Sequence, residues 1–322
     1  MRVLITGITG FVGSHMADFA LAYGADVFGA SRGRRNTDNV DHLGSRIALI
    51  EADLCDAPSA RALVLSARPD RVFHLAAQSF VGDSWQAPAE TLSTNIIGQA
   101  NLLEAIRELP LPPRVLVVGS SDEYGLAQEG ELPIRESNPF RPLSPYAVSK
   151  VAQDMMGYQY YKSYGLPIVR ARAFSHEGPR RGAAFVTSSF AKQIAEIEVG
   201  VAPPVLRVGD LKSRRDFSDV RDIVRGYWLL LERGDPGEVY NLCSGRSWAI
   251  QQVLDFLLAQ STAKDIAVEI DPMRLRPSDV VTFEGDPSKV AAAVGWRTEI
   301  PFERTLTELL DYWRERVRRA PR

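Results

Sequence analysis

One segment constrains this chain more than any other: a short apolar strand runs into Gly7-Ile8-Thr9-Gly10-Phe11-Val12-Gly13, and a helical pattern follows at once. Glycine is needed where a backbone turns tightly or lies close against a ligand. A helix opening on such a loop offers unpaired N–H groups and the positive end of its dipole, which suit a diphosphate. The spacing is G-x-x-G-x-x-G, not the more familiar G-x-G-x-x-G. Set between a strand and a helix, it is expected to bind a dinucleotide through Gly7, Gly10, Phe11, Val12 and Gly13.

The alternation continues. Strands are expected at Val3–Thr6, Asp26–Ala30, Ile47–Glu51, Arg71–Leu75, Val115–Gly119 and Pro167–Ala173. Helices are expected between them at Val12–Tyr23, Pro58–Ala67, Thr91–Glu108 and Ala147–Tyr164. Continuously apolar strands are buried on both faces, as in parallel sheets. The class is therefore α/β, with a doubly wound parallel sheet. After Phe174 the pattern loosens. A Gly-, Pro- and Arg-rich stretch, Glu177–Gly182, leads to helices near Val186–Val199, Asp219–Glu232, Ser247–Ala259 and Phe302–Arg318. The expected division is a dinucleotide-binding domain, 1–174 with about 212–245, and a smaller, partly interleaved α/β lobe, 175–211 and 246–322.

Composition narrows the ligands. The chain has 322 residues, 45% of them hydrophobic, enough for a sizeable core. A net charge of −2 argues against a general nucleic-acid binder, so an anionic ligand must be held by local cations. Cys55 and Cys243 are too few for a disulfide framework, and no metal-ligand set is expected. No leader pattern is present and no apolar run approaches the ~20 residues of a membrane span, so the expected location is cytoplasmic.

The end of the second strand selects the dinucleotide. It reads Phe28-Gly29-Ala30-Ser31-Arg32, followed by Arg34 and Arg35. A carboxylate there would bind the ribose 2′-hydroxyl of NAD; a guanidinium fits a 2′-phosphate. Ser31 and Arg32 therefore point to NADP(H) rather than NAD. Asp53 and Leu54, after the third strand, are placed to contact adenine. Leu75, Ala76 and Ala77, after the fourth, leave room for a cofactor across the strand ends.

Tyr146 and Lys150 are four residues apart near the start of a helix, hence on one face. A phenol with a pKa of about 10 is a poor acid or base at neutral pH. An adjacent ammonium is expected to favour the phenolate and bring it into range. The lysine can also hold a cofactor ribose. Ser120 ends the fifth strand, where ligands bind in such sheets, and can share a substrate oxygen with Tyr146.

Together, G-x-x-G-x-x-G, His74-Leu75-Ala76-Ala77-Gln78, the Ser120 region and Y-x-x-x-K resemble the extended short-chain dehydrogenase/reductase family, over essentially the whole chain. The resemblance implies a Rossmann-type fold. Phe174–Pro179, Phe185–Thr187, Val208–Leu211, Arg215–Asp222 and Arg276–Asp279 resemble its GDP-mannose branch, the 4,6-dehydratases and the GDP-6-deoxy-4-keto-mannose reductases. That implies a second lobe closing over a GDP-sugar, with Arg215 and Arg276 on its diphosphate. Lys192 and Val186 would lie near guanine. Ser175 stands where the family usually has an Asn that touches phosphate. The family also implies a homodimer or tetramer formed through Thr91–Glu108 and Ala147–Tyr164. The apolar residues for this are Ile96, Ile97, Leu102, Leu103, Met155, Met156, Tyr160 and Tyr161, which intrachain packing could equally claim.

Within that branch the residues divide. A dehydratase oxidises C4, removes the C5 proton as water leaves C6, and returns hydride to C6. In the family its base is a Glu two residues after a Ser or Thr. Here that position is Asp122, shorter by a methylene, about 1.5 Å of reach. A misplacement of about 1 Å can cost ~100-fold. Glu123, on a stretch read as strand-like, is expected to point the other way. Asp83-Ser84-Trp85, Gly119–Gly125 and Leu275–Asp279 resemble the reductases, whereas Gly178–Gly182 and the arginines at 32–35 resemble the dehydratases. The reading adopted is NADP(H)-dependent reduction of the C4 ketone of GDP-4-keto-6-deoxy-D-mannose, giving a GDP-6-deoxyhexose of the GDP-D-rhamnose type. The alternative is GDP-mannose 4,6-dehydration. Less favoured are a C4 epimerase, which would retain NAD, and a non-catalytic binding protein, against which Ser120, Tyr146 and Lys150 argue.

Overall fold

The apolar runs of the first half form the centre of the molecule. In the computed structural model, residues 1–33, 37–128, 130–275 and 282–319 are described. Their strands are β1 Arg2–Thr6, β2 Asp26–Ser31, β3 Ile47–Glu51, β4 Arg71–His74, β5 Arg114–Ser120, β6 Ile168–Ala173, β7 Ser175–Glu177, β8 Val205–Val208, β9 Arg214–Asp219, β10 Val239–Leu242, β11 Ser247–Ala249 and β12 Ala267–Ile270. The α-helices are α1 Phe11–Ala22, α2 Ala57–Ala67, α3 Val81–Gln86, α4 Pro88–Leu92, α5 Gly98–Arg107, α6 Pro145–Tyr164, α7 Val186–Glu198, α8 Val220–Arg233, α9 Ile250–Ala259, α10 Ser288–Val294 and α11 Phe302–Arg319.

Seven strands pair in parallel in the order β10-β6-β5-β4-β1-β2-β3. Alternate residues face opposite layers, as strand geometry requires. Val3 and Ile5 pack with Met16 of α1 and Ile223, Tyr227 and Leu230 of α8. Leu4 packs on the other side with Leu63 of α2 and Leu102 and Ile106 of α5. The strand order reverses between β1 and β4, and a doubly wound sheet opens its ligand crevice at such a switch. The lobe has its own core, including Phe190, Leu206, Phe217, Leu254 and Leu309. It carries the sheets β11-β9-β7 and β12-β8.

Several elements depart from the sequence reading. β10 joins the main sheet beside β6, and the segment read as a helix from Ser247 begins as β11, antiparallel to β9. Thr91–Glu108 is not one regular helix, because a wider π turn at Ser93–Ile97 separates α4 from α5. That turn aims the buried Asn95 inward. Its amide donates to Gln78 O at 3.1 Å and Ser149 Oγ at 2.8 Å, and accepts from Gln78 N at 2.8 Å. Val290, Val294 and Trp296, from the chain's late segment, pack into the α1–α8 layer. Leu102, Leu103 and Tyr160 are core residues, whereas Ile97 and Met155 are exposed. No helix among the described residues is long and apolar enough to cross a membrane.

Candidate active site

The switch between β1 and β4 opens a cavity of about 1040 Å³, lined on the sheet side by the glycine loop, Ser31, Arg32, Asp53, Leu54, Leu75–Ala77, Ser120, Asp122, Tyr146 and Lys150. The loop's glycines are steric necessities. Gly7 has φ of +69°, and a Cβ there would lie 2.9 Å from the backbone N and Cα of Ala76; one on Gly13 would lie 2.1 Å from Gly7 O. β1 and β4 are drawn together by Thr6, whose Oγ1 accepts the N–H groups of Leu75 and Ala76, each at 3.1 Å. α1 starts on Gly10, with no side-chain cap, so its first N–H groups are left for whatever enters the cavity. This arrangement fits the diphosphate of a dinucleotide. Ser31 Oγ donates to Gly33 O at 2.6 Å, closing the turn that presents the exposed Arg32. Asp53 accepts from Cys55 N at 2.9 Å. Arg34 and Arg35 lie outside the described residues.

α6 is started by Ser144, whose hydroxyl accepts from Ala147 N at 3.1 Å, and by Pro145 in its first turn. Tyr146 and Lys150 are thereby fixed in the opening turns, both buried. Lys150 Nζ donates to Val118 O at 2.8 Å and stands 5.9 Å from the Tyr146 ring centre. Burial pulls the ammonium down to about 8. The expectation for the phenol is overturned. Burial, then the Asp122 carboxylate, push Tyr146 above its ordinary range, and the hydrogen bond with Ser120 opposes them only in part. At neutral pH the site holds a protonated phenol.

Ser120–Glu123 is not strand-like either. A 3-10 turn follows Ser120, whose Oγ accepts from Asp122 N at 3.1 Å, while Glu123 Oε1 accepts from Ser120 N at 2.7 Å. This reciprocal cap turns Glu123 away from the cavity, into full burial, and leaves Asp122 on its wall.

Ser175, Val186 and Arg215 line the lobe side. Arg215 Nη1 donates to Arg214 O at 2.9 Å, and its guanidinium lies 5.3 Å from the centre of the Phe283 ring. Lys192 is not there. It pairs with Glu196 and lines a separate hollow with Arg180, Tyr312 and Arg316. Six residues beyond Val186, it is rotated by about 240° around α7. Arg276 lies outside the described residues. Sequence reasoning missed Arg181, His176 and Arg274, all on the cavity wall. The Arg181 guanidinium lies 3.5 Å from the centre of the Phe185 ring and 4.9 Å from that of Phe11, and its Nε is 3.5 Å from Glu177 Oε2. Burial, and then Arg181 itself, bring His176 down to about 4, so its imidazole is neutral. Arg274 Nη1 donates to Ser189 Oγ at 3.0 Å. The available signal for Arg181 was an arginine in a Gly/Pro-rich stretch just after a short strand.

Comparison with known proteins now decides the family. The model of the GDP-mannose 4,6 dehydratase family matches residues 4–309. The chain belongs to this family. A GDP-6-deoxy-D-mannose reductase of Pseudomonas aeruginosa is 34% identical over 98% of both chains. A GDP-mannose 4,6-dehydratase of Vibrio cholerae is 32% identical, over 96% of this chain and 92% of its own. RMD from Pseudomonas aeruginosa, solved in complex with NADPH, superposes with a TM-score of 0.83 at 32% identity, covering 98% of this chain and 100% of its own. The family's members among these relatives are enzymes of both kinds, which matches the mixed motifs of this chain. The extended short-chain dehydrogenase/reductase architecture is the one its sheet order builds.

Proposed function

We propose that this protein is an NADP(H)-dependent reductase of the C4 ketone of GDP-4-keto-6-deoxy-D-mannose. The observation that carries the reading is the turn after β5: it leaves the cavity wall with Asp122, a methylene shorter than the glutamate base a dehydratase uses, and ties the neighbouring Glu123 to Ser120 N, away from the cavity. Ketone reduction needs no such base, only a proton donor, and the buried Tyr146 phenol is one. The glycine cradle and the exposed Arg32 support NADP(H) as the cofactor, as does the NADPH complex of the similar structure. When bound, reduced nicotinamide supplies hydride to C4. Tyr146 gives its proton to the ketone oxygen, and the Ser120 hydroxyl beside it holds that oxygen in place. Lys150 stabilises the phenolate that proton transfer creates. Arg215 neutralises the sugar diphosphate, with Ser175 and Val186 along the same wall. The exposed Ile97 and Met155 support a homodimer through the α4–α5 and α6 helices.

Incubation with GDP-mannose and catalytic NADP⁺ is expected to leave the sugar nucleotide's mass unchanged. GDP-4-keto-6-deoxy-mannose is then expected to consume NADPH. Loss of one water in the first experiment would instead make this a dehydratase with Asp122 as its base.

Two substitutions probe the binding assignments. Gly13→Ala would force its Cβ onto Gly7 O and is expected to weaken NADPH binding by at least about tenfold, read by fluorescence titration. Arg215→Ala removes a charge-assisted contact of roughly 1.5–3 kcal/mol and is expected to raise KM for the GDP-sugar about 10- to 100-fold, with kcat little changed. The pH dependence follows from Lys150. Its ammonium is present below its pKa of about 8, so kcat/KM is expected to fall as pH rises through that value.

A further inference from the structure

Behind the cavity wall lies a buried ionic ladder that the reaction as described does not use. Glu123 is fully buried. One carboxylate oxygen accepts the Ser120 N–H at 2.7 Å, and the other stands 3.2 Å from Arg172 Nε. Arg172 also binds Asp154, at 2.9 Å through Nε, and the Tyr124 hydroxyl at 2.8 Å. The second Asp154 oxygen accepts from Arg170 at 2.8 Å. Asp154 lies one turn beyond Lys150 and two beyond Tyr146 on α6. A Cβ on Gly119 would come within 2.1 Å of Glu123 Oε1, so β5 gives up a side chain where this carboxylate lies.

A buried acid is costly, and a well-packed apolar residue could fill the same space without that cost. The turn after β5 already has the Ser120 hydroxyl as a cap. What Glu123 adds is a second hold on Ser120, through its backbone N–H. We propose that Glu123 is a positioning residue: packed behind β5 beside Arg172, it fixes Ser120 opposite Tyr146. The proposal rests on Tyr146 being the proton donor. The charged and titratable groups around Tyr146 are Asp122 and Glu123 on the turn, Lys150 on its own helix, Arg181 across the cavity and Tyr227 of α8. Around Lys150 they are Glu123 and the neutral His74 of β4. Burial, and then the neighbouring Asp154 carboxylate, push Glu123 well above the usual carboxylate range, with Arg172, the Ser120 N–H and Lys150 opposing them. Its hold on Ser120 does not depend on charge.

Two variants test that hold. Glu123→Gln keeps an oxygen for the Ser120 N–H and is expected to hold kcat and KM within about twofold of the wild type. Glu123→Leu removes that acceptor. It is expected to lower kcat about 10- to 100-fold, with KM and the NADPH Kd within about twofold. Hydrogen exchange at the Ser120 amide is expected to speed up in the leucine variant and not in the glutamine variant. A glutamine variant that loses kcat as the leucine variant does overturns the proposal, as does a leucine variant that keeps kcat. So do losses in which KM, Kd and melting temperature all move together. A wild type that turns over neither sugar nucleotide overturns the reductase reading instead. The exchange rate at Ser120 then still decides whether Glu123 holds that residue.

Discussion

Tyr146→Phe is expected to lower kcat about 10²- to 10⁴-fold while leaving KM for the GDP-sugar and the NADPH Kd within about twofold. The substitution removes one oxygen and leaves the ring, so the cavity wall and the start of α6 are preserved. Substrate binding therefore has no reason to change. What is lost is the proton that must reach the ketone oxygen as hydride arrives. The hydroxyl of Ser120 can donate a hydrogen bond but is far too weak an acid to replace a phenol. Lys150, at about 8, is the cationic donor nearest the phenol, and one N–H of its Nζ goes to Val118 O. A kcat within a few-fold of wild type would mean that proton transfer is not limiting, or that Lys150 delivers the proton through water. Lys150→Met in the Phe background separates those cases, because only the second predicts a further collapse.

The parallel strands were legible because burial on both faces leaves an unbroken apolar run, and most of their observed ends fall within a residue or so of the expected ones. β9 was missed for the opposite reason. Arg214–Asp219 reads as a polar loop, yet Asp216 is buried and accepts from Ser244 N, Ser244 Oγ, Gly245 N and Gly285 N. Those partners come from distant parts of the chain, so no local pattern announces the strand. The same limit applies to the site. Gly7, Gly13, Tyr146 and Lys150 are set by short-range geometry and could be read directly. The upward shift of Tyr146 comes from burial and then from Asp122, brought in by a turn that looked like strand. Lys192 was misplaced by helical phase alone, since a residue match fixes position along α7 but not which face looks into the cavity.

Asp154→Ala is expected to destabilise the fold by about 3–5 kcal/mol, measured as the free energy of urea unfolding. Asp154 is buried and joins two guanidiniums, binding Arg170 at 2.8 Å and Arg172 at 2.9 Å. Removing it strands two cations in an interior that cannot hydrate them. Glu123 and Tyr124 remain beside Arg172, whereas Arg170 is left with the Gly237 carbonyl at 2.9 Å and the face of the Tyr158 ring. The loss should therefore exceed that of an ordinary surface pair, which is worth about 0–1 kcal/mol. Replacing Asp154, Arg170 and Arg172 together by apolar residues of similar volume is expected to recover much of the stability. It should not recover activity, because Glu123 would then have no cation to hold it against Ser120. Stability regained without turnover would show that the ladder exists for the site above it and not for the core it crosses; activity returning with stability would reduce it to a packing device.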